Sequence, residues 1–397
     1  MPWLKVRRTG RLFKSERWIR RMAASKIENL QALRGVAALM VFVAHLAAAE
    51  GDYGSAPLLL PFALNLGQVG VDLFFVISGF VMVHVTMDGP RGRRAATRFI
   101  YNRGARIFPL YWVATSGLVA LYAGKKFAFG EDTPLGDLVG SFLLLPTGEL
   151  PLLAVGWTLT HELYFYAAFA LFLLMAPGRL PMLLFAWGLL VAAGAALTGA
   201  DASPFVRLIF NPLTFEFLAG AAVALLVRRG VTGCAAASLA LGGGAVLALA
   251  IGFARDLYPA ALADHMQRVL IFGAPMAAIA YGAVALEAAP RPRIAPRWLR
   301  QVGDASYALY LLHVPTFLVV GKAVTTILAP GAATNAVLIA AYAATGLAVA
   351  FLAHEFVEKP LLRMTRRFGD SALPRAAPPH AAAPHQAGAP QKGAPVG

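Results

Sequence analysis

Residues 29–49 read NLQALRGVAALMVFVAHLAAA, an apolar run long enough to cross a lipid bilayer as one helix. The run nevertheless contains Arg34 and His45, side chains that hydrocarbon accepts only where protein or water surrounds them. An isolated charge at the centre of such a helix costs roughly 2.5 to 3.5 kcal/mol. The stretch therefore predicts a membrane-spanning helix whose polar side chains face the protein interior and serve a function.

The composition of the whole chain agrees with a membrane protein of many spans. Of its 397 residues, 58% are hydrophobic and only 14% are charged, and the mean hydropathy is +0.64. These values exclude an ordinary soluble globular protein. The formal net charge of +15 comes from short basic runs between apolar segments, so we predict no nucleic-acid binding. With a single cysteine, Cys234, the chain forms no intrachain disulfide.

Ten apolar runs of about 20 residues predict an all-α, polytopic membrane protein with ten transmembrane helices. The segment from Leu138 to Pro146 is too short to cross, and we predict an interfacial or re-entrant piece there. The predicted spans are 29–49, 66–86, 105–123, 152–175, 180–198, 205–227, 233–253, 268–287, 305–328 and 335–356.

The connections between spans differ in their basic residues, and this difference predicts the orientation. The side that includes both termini has most of the Lys and Arg residues, whereas the other side has only Lys125, Lys126, Arg207, Arg255 and Arg268. Because cytoplasmic loops are enriched in Lys and Arg, both termini are predicted to be cytoplasmic. We predict a basic tail over 1–26, with Met22 as an alternative start to Met1, a membrane domain over 27–363 and a disordered Pro- and Ala-rich tail over 364–397.

Depth along the predicted helices suggests which polar side chains meet. His45 lies eleven residues, or about 16 Å, beyond Arg34 and at a level similar to Asp72, whereas Glu162 lies near the midplane. An imidazole oriented by a carboxylate can accept the proton of a hydroxyl group near neutral pH. We therefore predict His45, Asp72 and Glu162 as catalytic residues. The alternative is a histidine that only forms a hydrogen bond between helices.

A basic segment precedes the third span. Within it, Arg103 and Arg106 are three residues apart at a helix start, which places both guanidinium groups on one face and suits them to bind phosphate. Together with Arg34, near the same side of the membrane, they are predicted to bind a phosphorylated cytosolic donor. Ordinary enrichment of cytoplasmic loops in basic residues is the alternative explanation.

Two further clusters combine aromatic rings with polar groups. An indole beside an acid and hydroxyl groups can form a sugar-binding surface, in which the indole stacks on the ring of the sugar. The alternative is an aromatic belt at the membrane interface or simple packing. The predicted substrate-binding residues are Trp157, Tyr166, Ser306, Tyr307 and His313.

At these positions the chain resembles the acyltransferase 3 family of membrane O-acyltransferases, of the bacterial exopolysaccharide and O-antigen acetyltransferase type. The resemblance extends from about Ile27 to Arg363 and rests on five blocks in the family's order. They are Arg34 followed after ten residues by His45, VDLFFVISGF at 71–80, RGARIFP at 103–109, WTLTHELYFY at 157–166 and SYALYLLH at 306–313.

The resemblance implies transfer of an acyl group, often acetyl, from cytoplasmic acyl-coenzyme A to a hydroxyl group of a polysaccharide, lipopolysaccharide or glycolipid. It implies a multi-pass protein of the cell inner membrane that uses no metal. His45 matches the family's essential histidine, Arg34 its paired cation, and Arg103 and Arg106 the arginine motif associated with the donor.

The sequence leaves open two mechanisms of acyl transfer and one other function. Either the acceptor hydroxyl attacks the thioester directly, with His45 as general base, or His45 forms a transient acyl-histidine. The alternative function is that of a proton-coupled transporter of a glycan precursor or small solute, because intramembrane acids and histidines also mark proton relays.

Overall fold

The computed structural model describes residues 27–60, 63, 66–130, 135–199, 201–254, 265–289 and 294–373. The predicted tail over 1–26 and the chain beyond residue 373 lie outside these described residues. Every regular element within the described ranges is helical, which confirms the predicted all-α fold. The helices are α1 (Glu28–Tyr53), α2 (Leu66–Thr86), α3 (Arg93–Phe129), α4 (Leu138–Leu143), α5 (Trp157–Phe172), α6 (Leu180–Leu197), α7 (Pro204–Ile209), α8 (Thr214–Arg228), α9 (Ala235–Ala254), α10 (His265–Glu287), α11 (Arg297–Asp304), α12 (Ser306–Ile327), α13 (Ala332–Ala353) and α14 (Lys359–Ala372).

Nine helical stretches among the described residues are long and apolar enough to cross a bilayer, so the chain is a polytopic membrane protein. The remaining predicted span, 152–175, contains α5, whose 16 residues follow the short 3-10 turn Ala154–Gly156. Sixteen residues rise about 24 Å, which is less than the roughly 30 Å of the hydrocarbon core. The segment that was predicted not to cross contains the six-residue helix α4.

Polar contacts join several helix termini at one end of the bundle, where α1, α3 and α12 begin and α2, α5, α10 and α13 end. The backbone N–H groups of Glu28 and Asn29 donate to the carboxylate of Glu287 over 3.0 and 2.7 Å. The N–H of Gly92 donates to the carbonyl of Leu173 over 2.8 Å. We call this end the basic end, because it holds the Lys- and Arg-rich connections that the sequence predicts to be cytoplasmic.

Helices α2 and α8 approach each other closely because both present glycine at their crossing. A Cβ atom on Gly79 would lie 1.8 Å from the carbonyl oxygen of Phe217, and one on Gly220 would lie 1.8 Å from that of Val76. Small residues allow such backbone contact between membrane helices. The crossing fixes the position of α2, which also packs against α1 and α5 and contributes much of the cavity described below.

Residues 364–372 are helical and do not belong to a disordered tail, which corrects the predicted domain boundary. Helix α14 packs along α3, where the hydroxyl of Tyr101 donates to the carbonyl of Thr365 over 2.6 Å. Arg98 of α3 forms an ion pair with Asp370 of α14. The sequence did not indicate this helix, because the contacts that stabilise it are with α3, which is far away in the chain.

Candidate active site

A cavity of about 140 Å³ lies between α2, α3, α5 and α12, close to the basic end. It contains residues from each of the five sequence blocks on which the family resemblance rests. Most of the predicted site residues are therefore brought together in one place. The polar residues that line the cavity are Arg34, Ser78, Arg103, Arg106, Thr158, Glu162, Tyr166, Ser306, Tyr307 and Tyr310.

Three guanidinium groups line this cavity, those of Arg34, Arg103 and Arg106, and none forms a hydrogen bond with another residue of the described ranges. Arg103 lies over the ring of Tyr166, 5.7 Å from its centroid. Buried charged groups in proteins are normally hydrogen-bonded. Among the described residues, three cations and one carboxylate, that of Glu162, line the cavity, and this excess of positive charge favours an anionic ligand.

Glu162 is held in the cavity wall by two hydroxyl groups. Ser78 of α2 donates to its Oε1 over 3.0 Å, and Tyr166 donates to the same oxygen. Tyr166 reaches Glu162 because residues four apart on a helix share one face. Arg34 is a charged neighbour of this carboxylate, so Glu162 belongs with the cationic group of the cavity.

His45 does not line this cavity. Its ring packs edge-on against that of His313, with 4.8 Å between the ring centroids. His313 in turn contacts Tyr310, at 6.3 Å between centroids, and Tyr310 lines the cavity. His45 and Arg34 share one face of α1 and are about 16 Å apart along it. The histidine is therefore linked to the cavity through two successive ring contacts.

Backbone carbonyls fix the tautomer of both histidines. The Nδ1 atom of His45 is 2.9 Å from the carbonyl oxygen of Val41, and a carbonyl only accepts hydrogen bonds, so Nδ1 carries the hydrogen. In the neutral ring, Nε2 is then the proton acceptor. His313 is held in the same way, 2.8 Å from the carbonyl of Leu309. The predicted orientation of His45 by a carboxylate is therefore wrong, because the helix backbone orients this ring.

Asp72 belongs to a second buried cluster. Its Oδ1 atom is 2.7 Å from Nε of Arg268, and Glu216 lies against it. Arg268 does not lie in a connection between spans, as predicted, but in α10, directly before the π-helical turn Val269–Gly273, and it is only 3% exposed. The contacts of the described residues join Asp72 to α8 and α10 and not to His45.

The predicted carbohydrate-binding residues fall into two groups. Tyr166, Ser306 and Tyr307 line the cavity, but both tyrosine hydroxyls donate to acceptors in the protein. The hydroxyl of Ser306 is buried and has no hydrogen-bond partner among the described residues. Trp157 and His313 lie outside the cavity lining, each within a cluster of aromatic rings.

One charged residue at the site was missed in the sequence analysis. Glu358, 4% exposed, lies in the π-helical turn between α13 and α14 and is a charged neighbour of Arg34. Its Oε2 atom is 2.7 Å from Nδ1 of His354. The spacing of four between this histidine and this acid, directly after an apolar span, was the available signal.

Comparison with known proteins gives the family of this chain. A family model described as an acyltransferase domain matches residues 27–355. The exopolysaccharide production protein ExoZ of Rhizobium meliloti (strain 1021) is 34% identical over 320 residues, which cover 76% of this chain and 92% of that protein. Acyltransferase MdmB of Streptomyces mycarofaciens is 27% identical over 385 residues, which cover 86% of this chain and 93% of that protein. No solved structure shows a significant match. The order of the five blocks, the helical fold and the matched family model together identify the chain as an acyltransferase of the acyltransferase 3 family.

Proposed function

We propose that this acyltransferase moves an acyl group, in the first place acetyl, from cytoplasmic acyl-coenzyme A to a hydroxyl group of a cell-surface or exported carbohydrate. The main support is the cavity at the basic end, where the guanidinium groups of Arg34, Arg103 and Arg106 converge without partners among the described residues. A phosphorylated thioester supplies the anion that such a site binds. Similarity to a protein named for exopolysaccharide production supports a carbohydrate acceptor.

In the proposed reaction the donor enters from the basic end, which faces the cytoplasm of a cell bounded by an inner membrane. Its phosphates bind Arg103 and Arg106, and its thioester arm extends through the cavity toward Tyr310. The acceptor carbohydrate approaches His45 from the opposite end of the bundle. This arrangement holds both substrates before reaction, which lowers the entropic part of the barrier.

The transfer itself needs one base. Nε2 of His45 takes the proton of the acceptor hydroxyl as its oxygen attacks the thioester carbonyl. A new acyl–oxygen bond forms, the carbon–sulfur bond breaks, and the proton passes from the imidazolium to the departing thiolate. Nε2 of His313 is buried and has no hydrogen-bond partner among the described residues, so it accepts a hydrogen bond from the acceptor carbohydrate only after its ring has shifted.

Tyr310 lies between the donor cavity and the histidine pair that the acceptor approaches. Its hydroxyl is 2.7 Å from Oγ1 of Thr158 and donates to the carbonyl of Val155 over 3.0 Å. Because the rings of Tyr310 and His313 separate the cavity from His45, the thioester reaches the base only when these rings shift. Glu162, a charged neighbour of Arg34, lies in the part of the cavity that the donor enters first.

The direct test traces a labelled acetyl group from the donor to the carbohydrate. Membranes that contain the protein are incubated with acetyl-coenzyme A labelled in the acetyl group, and the polysaccharide fraction is counted. The expected result is label in carbohydrate with the wild-type protein and its loss with His45→Gln. Proton-driven solute uptake without any labelled carbohydrate would contradict the proposal and favour a transporter.

A further inference from the structure

A second cavity, of about 330 Å³, lies at the basic end between α3 and α14. The two helices are held together around it by the hydrogen bond from Tyr101 to Thr365 and by the ion pair of Arg98 with Asp370. Gly369 permits this close packing, since a Cβ atom there would lie 2.3 Å from the ring of Tyr101. The cavity is therefore a fixed part of the fold.

The lining of this cavity is strongly basic. It includes four guanidinium groups, those of Arg98, Arg103, Arg106 and Arg366, and one carboxylate, that of Asp370. Because Asp370 is already paired with Arg98, the remaining positive charge has no acidic counterpart among the described residues that line the cavity. Planar guanidinium groups in such a cluster match the geometry of phosphate oxygens.

The second cavity adjoins the active-site cavity. Arg103 and Arg106 line both of them. A ligand whose phosphates lie at these two arginines can therefore extend one way toward Glu162 and the other way toward Arg366. A donor that has its reactive group at one end and further phosphate at the other end fits this arrangement.

We propose that the second cavity binds the phosphorylated nucleoside end of the donor, with Arg366 in contact with phosphate beyond that at Arg103 and Arg106. This inference rests on the proposed function, since coenzyme A is a thiol arm joined through a diphosphate to a phosphorylated adenosine. Helix α14 lies beyond residues 27–355, which the family model matches, so the family model does not cover the four lining residues Leu362, Thr365, Arg366 and Asp370.

The test uses adenosine 3′,5′-bisphosphate, which has phosphates and nucleoside but no thiol or acyl group. Its binding to the detergent-solubilised full-length protein is measured by titration calorimetry. Arg366→Gln is expected to weaken binding at least tenfold, because it removes one charge-assisted contact. The matched control is Arg367→Gln, the next residue of α14, which does not line the cavity and is expected to bind as the wild type does. Thermal unfolding of both variants checks their fold.

Either of two results in the binding experiments would overturn the inference. One is an affinity of Arg366→Gln for the bisphosphate equal to that of the wild type. The other is binding of phosphatidylglycerol vesicles, dependent on Arg366, by a protein that does not bind the bisphosphate, since the same arginines suit the phosphate of an anionic lipid.

The outcomes also separate this inference from the proposed function. If the wild type binds the bisphosphate but transfers no acyl group, the proposed function is wrong and the nucleotide site stands. If acyl transfer proceeds with an unchanged KM for acyl-coenzyme A in Arg366→Gln, the nucleotide site is wrong and the proposed function stands.

Discussion

His45 of α1 and His313 of α12 lie ring against ring with 4.8 Å between their centroids, and each is anchored through Nδ1 to a carbonyl four residues earlier in its own helix. In both neutral rings Nε2 is therefore the hydrogen-bond acceptor. The two positions are not equivalent, because His313 is 1% exposed whereas His45 is partly accessible. This difference favours His45 as the base, because a substrate can reach its ring, whereas His313 can position the acceptor only after its own ring has shifted.

Replacement of the two histidines should separate these roles. We expect His45→Ala to lower kcat by about 10²- to 10⁴-fold, the usual contribution of a general base. His313→Ala should mainly raise the KM for the acceptor. Acyl transfer by the purified variants measures both constants, and size-exclusion profiles check the fold. Near-normal turnover by His45→Ala would rule out its assignment as the base.

Loss of either cavity arginine should weaken use of the donor. Arg103→Gln and Arg106→Gln each remove a charge-assisted hydrogen bond worth about 1.5 to 3 kcal/mol, so we expect the KM for acyl-coenzyme A to rise about ten- to a hundredfold. Arg94→Gln, an exposed position on the same helix, is the control and should leave the KM unchanged. Unaltered donor dependence in both cavity variants would exclude these arginines from the donor site.

Arg268→Leu should destabilise the protein, because it leaves the carboxyl groups of Asp72 and Glu216 buried without their cation. Removal of one partner from a buried ion pair costs about 3 to 5 kcal/mol. Thermal unfolding in detergent measures the loss, and Arg207→Leu, at an exposed position on α7, should show little change. Equal unfolding midpoints for the two variants would mean that the cluster is not needed for stability.

Gly79→Ala should separate α2 from α8, since the new methyl group would meet the carbonyl oxygen of Phe217 at 1.8 Å. Such overpacking costs about 1 to 3 kcal/mol, and transfer activity should fall as well because the adjacent Ser78 holds Glu162. Gly117→Ala is the control, because a Cβ atom there would meet no other described residue within 4 Å. An unfolding midpoint as high as that of Gly117→Ala would contradict the close helix crossing.

The sequence was a good guide to features with local signals. The length of the apolar runs predicted the membrane-crossing helices. The three-residue spacing of Arg103 and Arg106 predicted that both would face one site, and both line the same cavity. Arg268 gave no such signal, because a charge at the edge of an apolar run looks the same in a loop and in a helix. Its partner Asp72 is 196 residues away, and only tertiary packing brings the two together.

The surroundings of His45 were harder to predict for a different reason. A helical histidine can donate to the carbonyl four residues earlier or to a carboxylate on another helix, and the sequence contains candidates for both. Which one is used depends on the rotation of α1 against α2 and α5. Helix α14 was missed because Tyr101 and Arg98, which hold it, lie on α3.

Because Arg34 and His45 share one face of α1, the number of residues between them determines the direction in which the imidazole points. Eleven residues complete slightly more than three whole turns, about 20° past alignment, whereas removing one residue would swing the imidazole by about 100° around the helix axis and away from His313. Apolar exchanges between these two positions would leave the ring in place. A single-residue deletion there should abolish transfer although every site side chain is still present.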